Sequence, residues 1–228
     1  MDMRHYAIHP NSTNVLVRSA FSKIDVPHAS VTSVFKRTID ILGALVGLLI
    51  LALVFVPIAV AIKLDGAGPI FYKQQRYGLH GQPFTLRKFR SMVKNADELK
   101  VLITNEAKGL IFKNQHDPRI TRVGRFLRRT SLDELPQFWN VLVGEMSLVG
   151  TRPPTSDEVV QYSDRHWQRL NVKPGLTGEW QVSGRSAIKD FEKIVELDLR
   201  YQSLWHPLYD LVIIFKTFQI LFTKGSAY

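Results

Sequence analysis

The chain has 228 residues and no cysteine, and its 30 lysines and arginines exceed its 20 acidic residues, which gives a formal net charge of +10. The lack of cysteine excludes a disulfide-stapled secreted scaffold, a thiolate zinc site and a cysteine nucleophile. The hydrophobic share of 45% and the charged share of 22% match a globular protein and exclude global disorder. The positive charge favours a phosphate-bearing partner, such as nucleic acid, an anionic lipid or a nucleotide-linked substrate.

The excess positive charge lies in one segment of the chain. Residues 63–129 carry a net charge of +10, whereas residues 1–62 carry +2 and residues 130–228 carry −2. This basic segment directly follows the most apolar stretch of the sequence. That order is expected of a protein that lies on a membrane surface rich in anionic headgroups.

Residues 41–62 form a run without a single charge. A straight helix of that length would extend roughly 33 Å, enough for the ~30 Å hydrocarbon core of a bilayer, so a transmembrane anchor is one interpretation. Pro57 lies inside the run, where proline removes a backbone hydrogen bond and bends a helix. Basic residues also flank both ends, without the asymmetry that fixes orientation. These features favour a second interpretation, a re-entrant membrane helix over residues 35–68 that is broken at Pro57.

The rest of the chain is predicted to be α+β and mainly helical. Residues 1–34 are expected to be a loosely ordered leader, and alternating apolar and polar residues predict a small β-hairpin with strands at 69–76 and 83–90. Helices are predicted over residues 92–107, 119–129, 138–146, 158–170, 190–204 and 207–222. The last two are amphipathic, and Asp210 and Lys216 interrupt the apolar face of the final helix, which suits a membrane interface. Residues 69–228 would form the catalytic domain.

The segment 131–137 carries the candidate chemistry. Pro136 is tolerated only in the first turn of a helix, so that helix should begin between residues 131 and 133. Asp133 and Glu134 would then lie at the positive end of the helix dipole. One interpretation is structural, with Ser131 and Glu134 forming a capping box and Asp133 balancing the dipole.

The functional interpretation of this segment rests on the arginines around it. Those that precede the acid pair are Arg119, Arg122, Arg125, Arg128 and Arg129. Arginines that converge on a helix N-terminus form a site suited to phosphate. An ionised carboxylate held there can attack phosphorus, and a divalent cation would offset the repulsion between the two anions. None of the seven histidines has the spacing of metal ligands, which argues against a zinc site.

The order of motifs resembles that of the bacterial sugar transferases, the polyprenyl-phosphate phosphoglycosyl transferases of the monotopic type. The resemblance covers about residues 35–217 and is carried by the motif Lys36-Arg37-x-x-Asp40 and by residues 69–78, 88–92, 117–121, 131–137, 140–142, 144–150 and 173–178. It implies transfer of a sugar-1-phosphate from a UDP-sugar to undecaprenyl phosphate. That reaction would begin the assembly of an exopolysaccharide or related glycan at the cytoplasmic face of the bacterial inner membrane.

The resemblance also implies roles for single residues. Asp133 would be the nucleophile that forms a covalent phospho-sugar and releases UMP, with Glu134 as its partner and Mg²⁺ bound at Asp133. The re-entrant helix would be broken at Pro57. The residues expected at the substrate and its phosphates are Arg128, Arg152, Arg185 and Gln181. Thr151 stands where the family commonly has a proline, which puts the local loop shape in doubt.

Other polar and aromatic residues have two interpretations each. Arg76, Lys88 and Arg90 alternate on the predicted strands, where they either contact substrate or form a solvated face. Asp157 and Glu158 are expected to be surface acids or a helix start. The tryptophans are expected to pack in the core or at the membrane interface rather than to stack on a sugar; they are Trp139, Trp167, Trp180 and Trp205.

Two rival functions and several partners complete the predictions. The chain could be a membrane-tethered nucleic-acid-binding protein, which predicts salt-dependent duplex binding, or a catalytically silent scaffold of polysaccharide assembly. The absence of a recognition-helix pattern argues against the first, and the intact acid pair argues against the second. The expected partners are a UDP-sugar, undecaprenyl phosphate and membrane lipids, without nucleic acid. The helix-dimer spacing of Gly43 and Gly47 leaves a homo-oligomer open.

Overall fold

The computed structural model describes residues 26–184 and 187–223. The prediction for Arg185, and most of that for the leader, therefore concern residues outside the described part. The last leader residues are described, and Ala29–Thr32 form a short helix in which the His28 side chain accepts a hydrogen bond from the Ser30 amide. The described fold is mainly helical and contains the predicted β-hairpin; a second two-stranded sheet, which is parallel, was not predicted.

The elements are numbered in chain order. The α-helices are α1 (Ala29–Thr32), α2 (Val34–Leu64), α3 (Ala96–Leu99), α4 (Arg122–Arg129), α5 (Phe138–Val143), α6 (Ser156–Val159), α7 (Asp164–Trp167), α8 (Glu179–Val182), α9 (Phe191–Leu204) and α10 (Pro207–Thr223). Short 3₁₀ helices cover Leu79–Gly81, Lys100–Leu102, Leu132–Gln137 and Gln168–Asn171. The strands are β1 (Phe71–Tyr77), β2 (Pro83–Phe89), β3 (Ser147–Val149) and β4 (Gly175–Thr177).

Helix α2 is, within residues 26–184 and 187–223, the one helix long and apolar enough to cross a membrane. It begins where the Ser33 side chain accepts a hydrogen bond from the Lys36 amide, and it continues through Pro57 as one uninterrupted helix. A break at Pro57 is therefore not observed, and the re-entrant helix stays a prediction. Pro57 itself lies on the exposed side.

Helix α2 packs along the folded domain at both of its ends. Near its start, the Asp40 carboxylate accepts hydrogen bonds from the Ser147 hydroxyl and the Leu148 amide, at 2.8 and 2.9 Å. Near its end, Ile58 and Ile62 are buried in an apolar cluster of the same domain. The opposite side of α2 leaves apolar side chains exposed, which are Leu42, Leu45, Val46, Leu49, Ile50, Leu53, Val56, Val60 and Leu64. The helix thus exposes one apolar side, while both of its ends contact the same folded domain.

The two glycines with helix-dimer spacing face the domain. A β-carbon at Gly43 would press on the side chain of Leu148, and one at Gly47 would collide with the ring of Phe138. The absence of side chains at these positions lets α2 approach β3 and α5 closely. Their spacing therefore serves packing within the chain.

The β-hairpin was predicted correctly. Strands β1 and β2 are antiparallel, with Phe71 opposite Phe89 and Gln74 opposite Leu86. Phe71 and Phe89 stack with ring centroids 5.4 Å apart, and Phe55 of α2 packs beside both. This aromatic cluster fixes the hairpin against the second half of α2.

The final helix, α10, is anchored by a buried ion pair. The Lys36 ammonium lies 2.7 Å from the Asp210 carboxylate and 3.2 Å from the Tyr201 hydroxyl, and both charged side chains are almost fully buried. Asp210 was expected to interrupt the apolar face of this helix; the structure shows that its charge is balanced inside the protein by Lys36. The exposed apolar residues of α10 include Leu211, Phe215 and Phe218, which agrees with the predicted amphipathic character.

Other predicted helices are shorter than expected or serve a different surface. Residues 92–107 contain only α3 and one 3₁₀ turn, and residues 158–170 contain short turns of helix. Helix α9 has the predicted bounds, with the Asp190 side chain as its N-cap. Its apolar side is buried in the core through Phe191, Ile194 and Val195, so it is a core helix rather than an interfacial one.

Candidate active site

An open cleft of about 960 Å³ lies between the β-hairpin, the 3₁₀ helix Leu132–Gln137 and helix α8. Of the arginine run before the acid pair, Arg122, Arg125 and Arg129 do not line this cleft, but the described residues that the sequence assigned to catalysis or to substrate binding do. These residues are Arg76, Lys88, Arg90, Arg128, Asp133, Glu134, Arg152 and Gln181. Residues up to 105 positions apart in sequence are thus brought to one cavity.

The acid pair is held at the start of the 3₁₀ helix Leu132–Gln137. Ser131 has a left-handed backbone, with φ of 56°, and its side chain makes no capping hydrogen bond, so the predicted capping box is wrong. The predicted start of the helix is correct, although its first turns are 3₁₀ rather than α. Asp133 is only 5% exposed, and Glu134 accepts a hydrogen bond of 2.9 Å from the Lys88 ammonium of β2.

Arg128 reaches the cleft from the last turn of α4. Its Nε donates to the Ser91 hydroxyl at 2.9 Å, which ties the guanidinium to the chain that follows β2. The close packing of α4 depends on Gly124, because a β-carbon there would collide with the backbone of Ser91. The result is a cation held in the lining of the cleft that also contains the acid pair.

A second cationic wall contains Arg152, Glu158 and Arg76. Both terminal nitrogens of Arg152 donate to the Glu158 carboxylate, at 2.7 and 2.9 Å, and Arg76 donates to the Pro153 carbonyl at 2.8 Å. The three charges sum to one net positive charge. Glu158 is 3% exposed and lies in the first turn of α6, so of the two expectations for it the helix start is met and the surface acid is not.

The pKa values of this wall follow from burial and charge. Burial and the neighbouring Arg152 lower the pKa of Arg76 to about 10, so it stays cationic at neutral pH. Burial alone would raise the pKa of Glu158, but Arg152 and Arg76 hold it below its ordinary value. Burial alone would lower the pKa of Arg152, whereas its ion pair with Glu158 raises it. Arg152 and Glu158 therefore remain a charged pair over the physiological range.

A buried ion pair supports this wall from behind. The Arg169 guanidinium donates to the Asp198 carboxylate at 2.6 and 2.8 Å, and it also donates to the Arg152 carbonyl at 3.3 Å. Parallel pairing of β3 with β4 brings the Arg152 loop and α8 to adjacent strand ends. This backbone arrangement is not evident from the motifs, because it depends on contacts between residues far apart in sequence.

Arg90 has a different environment from the other predicted ligands. Its terminal nitrogens donate to the backbone carbonyls of Ile62, Gly66 and Ala67, at the end of α2 and just beyond it. Cations are favourable near a helix C-terminus because unpaired carbonyls collect there. These bonds give Arg90 a structural role, although the side chain also borders the cleft.

The protein alone offers the expected Mg²⁺ only some of its ligands, and substrate phosphates would have to supply others. Across residues 26–184 and 187–223, no group of three or more His, Cys, Asp or Glu side chains is placed to hold a metal. Mg²⁺ is commonly bound by one or two carboxylates together with substrate phosphates and waters. The Asp133 carboxylate, at a cleft lined by cations, offers that kind of partial donor set.

Three further residues of the cleft were not predicted as site residues. Gln137 and Trp180 are almost fully buried, and Ser91 holds Arg128. Gln137 belongs to the same short motif as Asp133, so its position was a signal that could have been used. Trp180 packs in the core as predicted, yet it also borders the cleft.

Comparison with known proteins gives the family. The family model described as bacterial sugar transferase matches residues 31–224 of the chain. The chain belongs to this family. The match includes the cleft and all of α2 and α10, so the sugar transferase domain comprises the long apolar helix and the final helix as well as the site.

Several relatives cover most of the chain. The galactosyl transferase CpsE of Streptococcus agalactiae is 48% identical over 84% of this chain and 43% of its own length. The undecaprenyl-phosphate galactose phosphotransferase of Salmonella typhimurium is 45% identical over 85% of this chain and 41% of its own length. The exopolysaccharide production protein ExoY of Rhizobium meliloti is 38% identical over 92% of this chain and 97% of its own. The chain thus spans less than half of the first two relatives and nearly all of the third.

Proposed function

We propose that this protein transfers a sugar-1-phosphate from a UDP-sugar to undecaprenyl phosphate, as an early membrane step of exopolysaccharide assembly. The observation that carries this proposal is the cleft in which the Asp133–Glu134 pair meets Arg128 and the Arg152 wall. The names of the relatives from Salmonella typhimurium and Rhizobium meliloti support the lipid acceptor and the pathway class respectively.

The proposed reaction consists of two displacements at one phosphorus. A carboxylate oxygen of Asp133 attacks the β-phosphorus of the UDP-sugar, and the bond from that phosphorus to the bridging oxygen breaks. UMP leaves with the electron pair of that bond, and the sugar phosphate remains attached to Asp133. An oxygen of the polyprenyl phosphate then attacks the same phosphorus and releases the carboxylate.

The cationic residues of the cleft would stabilise the charge that develops during transfer. Arg128 lines the same cleft as the acid pair, and Arg152, Glu158 and Arg76 together contribute one net positive charge to it. Donors that are already fixed in place lower the barrier without reorganisation. Lys88 would hold the Glu134 carboxylate in position beside Asp133. A Mg²⁺ ion held by Asp133 and the substrate phosphates would neutralise phosphate charge when bound.

The proposed membrane arrangement is monotopic, with the catalytic domain on the cytoplasmic face and α2 entering and leaving one leaflet. It is supported by the contacts of both ends of α2 with the same domain, since a straight transmembrane helix would place those ends on opposite sides. The exposed apolar sides of α2 and α10 would then face lipid. Pro57, on the exposed side, would mark the position where α2 bends within the leaflet.

The test is UMP release from a panel of UDP-sugars, measured with the full chain in nanodiscs that contain undecaprenyl phosphate. At least one UDP-sugar should give UMP and a lipid-linked sugar phosphate, and Asp133→Asn should abolish both products. Asp164→Asn, at an exposed position at the start of α7 and outside the cleft, is the matched control and should keep activity. Full activity of Asp133→Asn, or no product from any UDP-sugar, would overturn the proposal.

A further inference from the structure

Three buried polar atoms around the cleft have no hydrogen-bond partner in the described part of the chain. They are Gln137 Nε2, Trp180 Nε1 and Gln181 Oε1. Their side chains border the cleft, and Gln137 and Trp180 are 4% and 8% exposed. A buried donor or acceptor without a partner is unfavourable, and its presence in a native structure calls for an explanation. A ligand group that hydrogen-bonds all three atoms would remove this cost.

Gln137 lies beside the acid pair. It is three residues after Glu134 on the same 3₁₀ helix, and side chains at that spacing eclipse one another, about 6 Å apart along the axis. A group hydrogen-bonded to Gln137 is therefore adjacent to the reacting phosphorus of the proposed reaction. In a UDP-sugar, the group attached to that phosphorus through one oxygen is the sugar.

Trp180 and Gln181 line the same cleft from another segment of the chain. They lie on α8, which directly follows β4, and Leu176 of β4 packs in one apolar cluster with Phe138. Phe138 follows Gln137 directly, so this cluster joins the two walls. The Gly178 backbone also lies against the carbonyl of Gly150, which holds α8 close to the Arg152 loop.

The chemistry of the three atoms selects the ligand. The Gln137 amide and the Trp180 indole each offer an N–H donor, whereas the Gln181 oxygen is an acceptor. The phosphates of a UDP-sugar are ionised at neutral pH and offer only hydrogen-bond acceptors. A phosphate oxygen would therefore repel the Gln181 oxygen, which is also an acceptor. Neighbouring sugar hydroxyls both donate and accept, so they satisfy all three atoms without adding charge.

We infer that Gln137, Trp180 and Gln181 form the subsite that binds the hydroxyl groups of the transferred sugar. This inference rests on the proposed function, because it assumes a sugar-diphosphate donor. It assigns sugar selection to neutral side chains, and it separates them from the arginines that bind phosphate. Trp180 acts here through its indole N–H, while its ring stays in the core.

The first experiment compares binding of UDP, UDP-galactose and UDP-glucose by calorimetry, using the full chain with Asp133→Asn to prevent turnover. In this parent, at least one UDP-hexose should bind more tightly than UDP. Adding Gln137→Met or Gln181→Met should weaken that UDP-hexose by about 3- to 10-fold, the worth of one hydrogen bond. UDP affinity should change less than 2-fold in the same variants, on the order expected for an unaltered site.

The control variant is Gln75→Met, an exposed glutamine of β1 that does not line the cleft. It should leave both affinities unchanged. An equal loss for UDP and UDP-hexose would place the nucleotide at these residues and overturn the inference, as would no loss for either. Failure of the parent to bind UDP and both UDP-hexoses would instead contradict the proposed function.

A second measurement compares analogues on the same protein, so a difference in the folded fraction between parent and variant cancels. Deoxy analogues of the preferred UDP-hexose are bound to the parent and to the parent carrying Gln137→Met. For at least one hydroxyl, its removal should weaken binding by about 3- to 10-fold in the parent and have no further effect in the variant. Additive losses at every hydroxyl would show that Gln137 contacts none of them and would overturn its assignment.

Discussion

Replacing Glu158 by glutamine tests the electrostatic structure of the Arg152 wall. Glu158 accepts two hydrogen bonds from Arg152, and its side chain is 4% exposed. Glu158→Gln keeps the shape of the side chain and removes its charge. Arg152 and Arg76 would then be two neighbouring cations without a compensating anion, in a wall largely shielded from water.

The expected cost follows from the burial of the pair. Removing one partner of a buried ion pair costs about 3–5 kcal/mol, because the other charge is left buried and uncompensated. The Arg152 side chain is 19% exposed, so partial solvation should bring the cost to about 3 kcal/mol, the lower end of that range. For a protein of this size, each kcal/mol lowers Tm by about 2–4 °C, so a decrease of about 6–12 °C is expected.

The assay is thermal unfolding of the full chain in detergent, followed by intrinsic fluorescence. Asp157→Asn is the matched control, since Asp157 also pairs with a cation, Lys100, at 3.0 Å, but its side chain is 75% exposed. An exposed pair of this kind contributes less than about 1 kcal/mol. If Glu158→Gln lowers Tm no more than Asp157→Asn does, the reasoning about the buried pair is refuted.

Three further outcomes are expected. The pKa of Glu158 in the folded protein lies below its ordinary value of 4.5. The difference in Tm between wild type and Glu158→Gln should therefore persist above about pH 5 and shrink as the pH falls below 4.5, where Glu158 becomes protonated. A Tm difference that does not depend on pH would contradict this. Arg90→Met should lower Tm by several degrees, because the hydrogen bonds from Arg90 to the end of α2 are lost. Arg87→Met, which removes one partner of an exposed ion pair, should not lower Tm. Equal Tm values for the two variants would contradict the structural role of Arg90. Gly47→Ala should lower the free energy of unfolding by about 1–3 kcal/mol, because the added methyl group pushes α2 away from Phe138. Ala52→Leu, on the exposed side of α2, should not have this effect. An unchanged Tm for Gly47→Ala would argue against this packing.

Much of the fold was predictable because the signals are local. The uncharged run of residues 41–62 gave α2, and the alternation of apolar and polar residues gave the hairpin from β1 to β2. Both patterns reflect the periods of helix and strand, which do not depend on distant residues. The segment 92–107 lacked such support, and its apparent helical pattern is replaced by turns that pack against the cleft.

The site was predictable in its residues but not in their pairing. The motif around Asp133 indicated the acid pair, and the neighbouring arginines indicated an anion site. The sequence could not indicate that Arg90 bonds the end of α2, or that Glu158 is buried against Arg152. These pairings depend on which chain segments come together in the folded protein. A charged residue in a sequence motif looks the same whether it contacts substrate or pairs with another part of the protein.

The most direct test of the central claim is the mass of the protein after incubation with an active UDP-sugar in the absence of polyprenyl phosphate. The proposed reaction predicts a covalent sugar-phosphate adduct that maps to Asp133, is absent from Asp133→Asn, and is discharged when undecaprenyl phosphate is added. An adduct that persists in Asp133→Asn, or transfer to lipid that proceeds at full rate in that variant, would contradict the account.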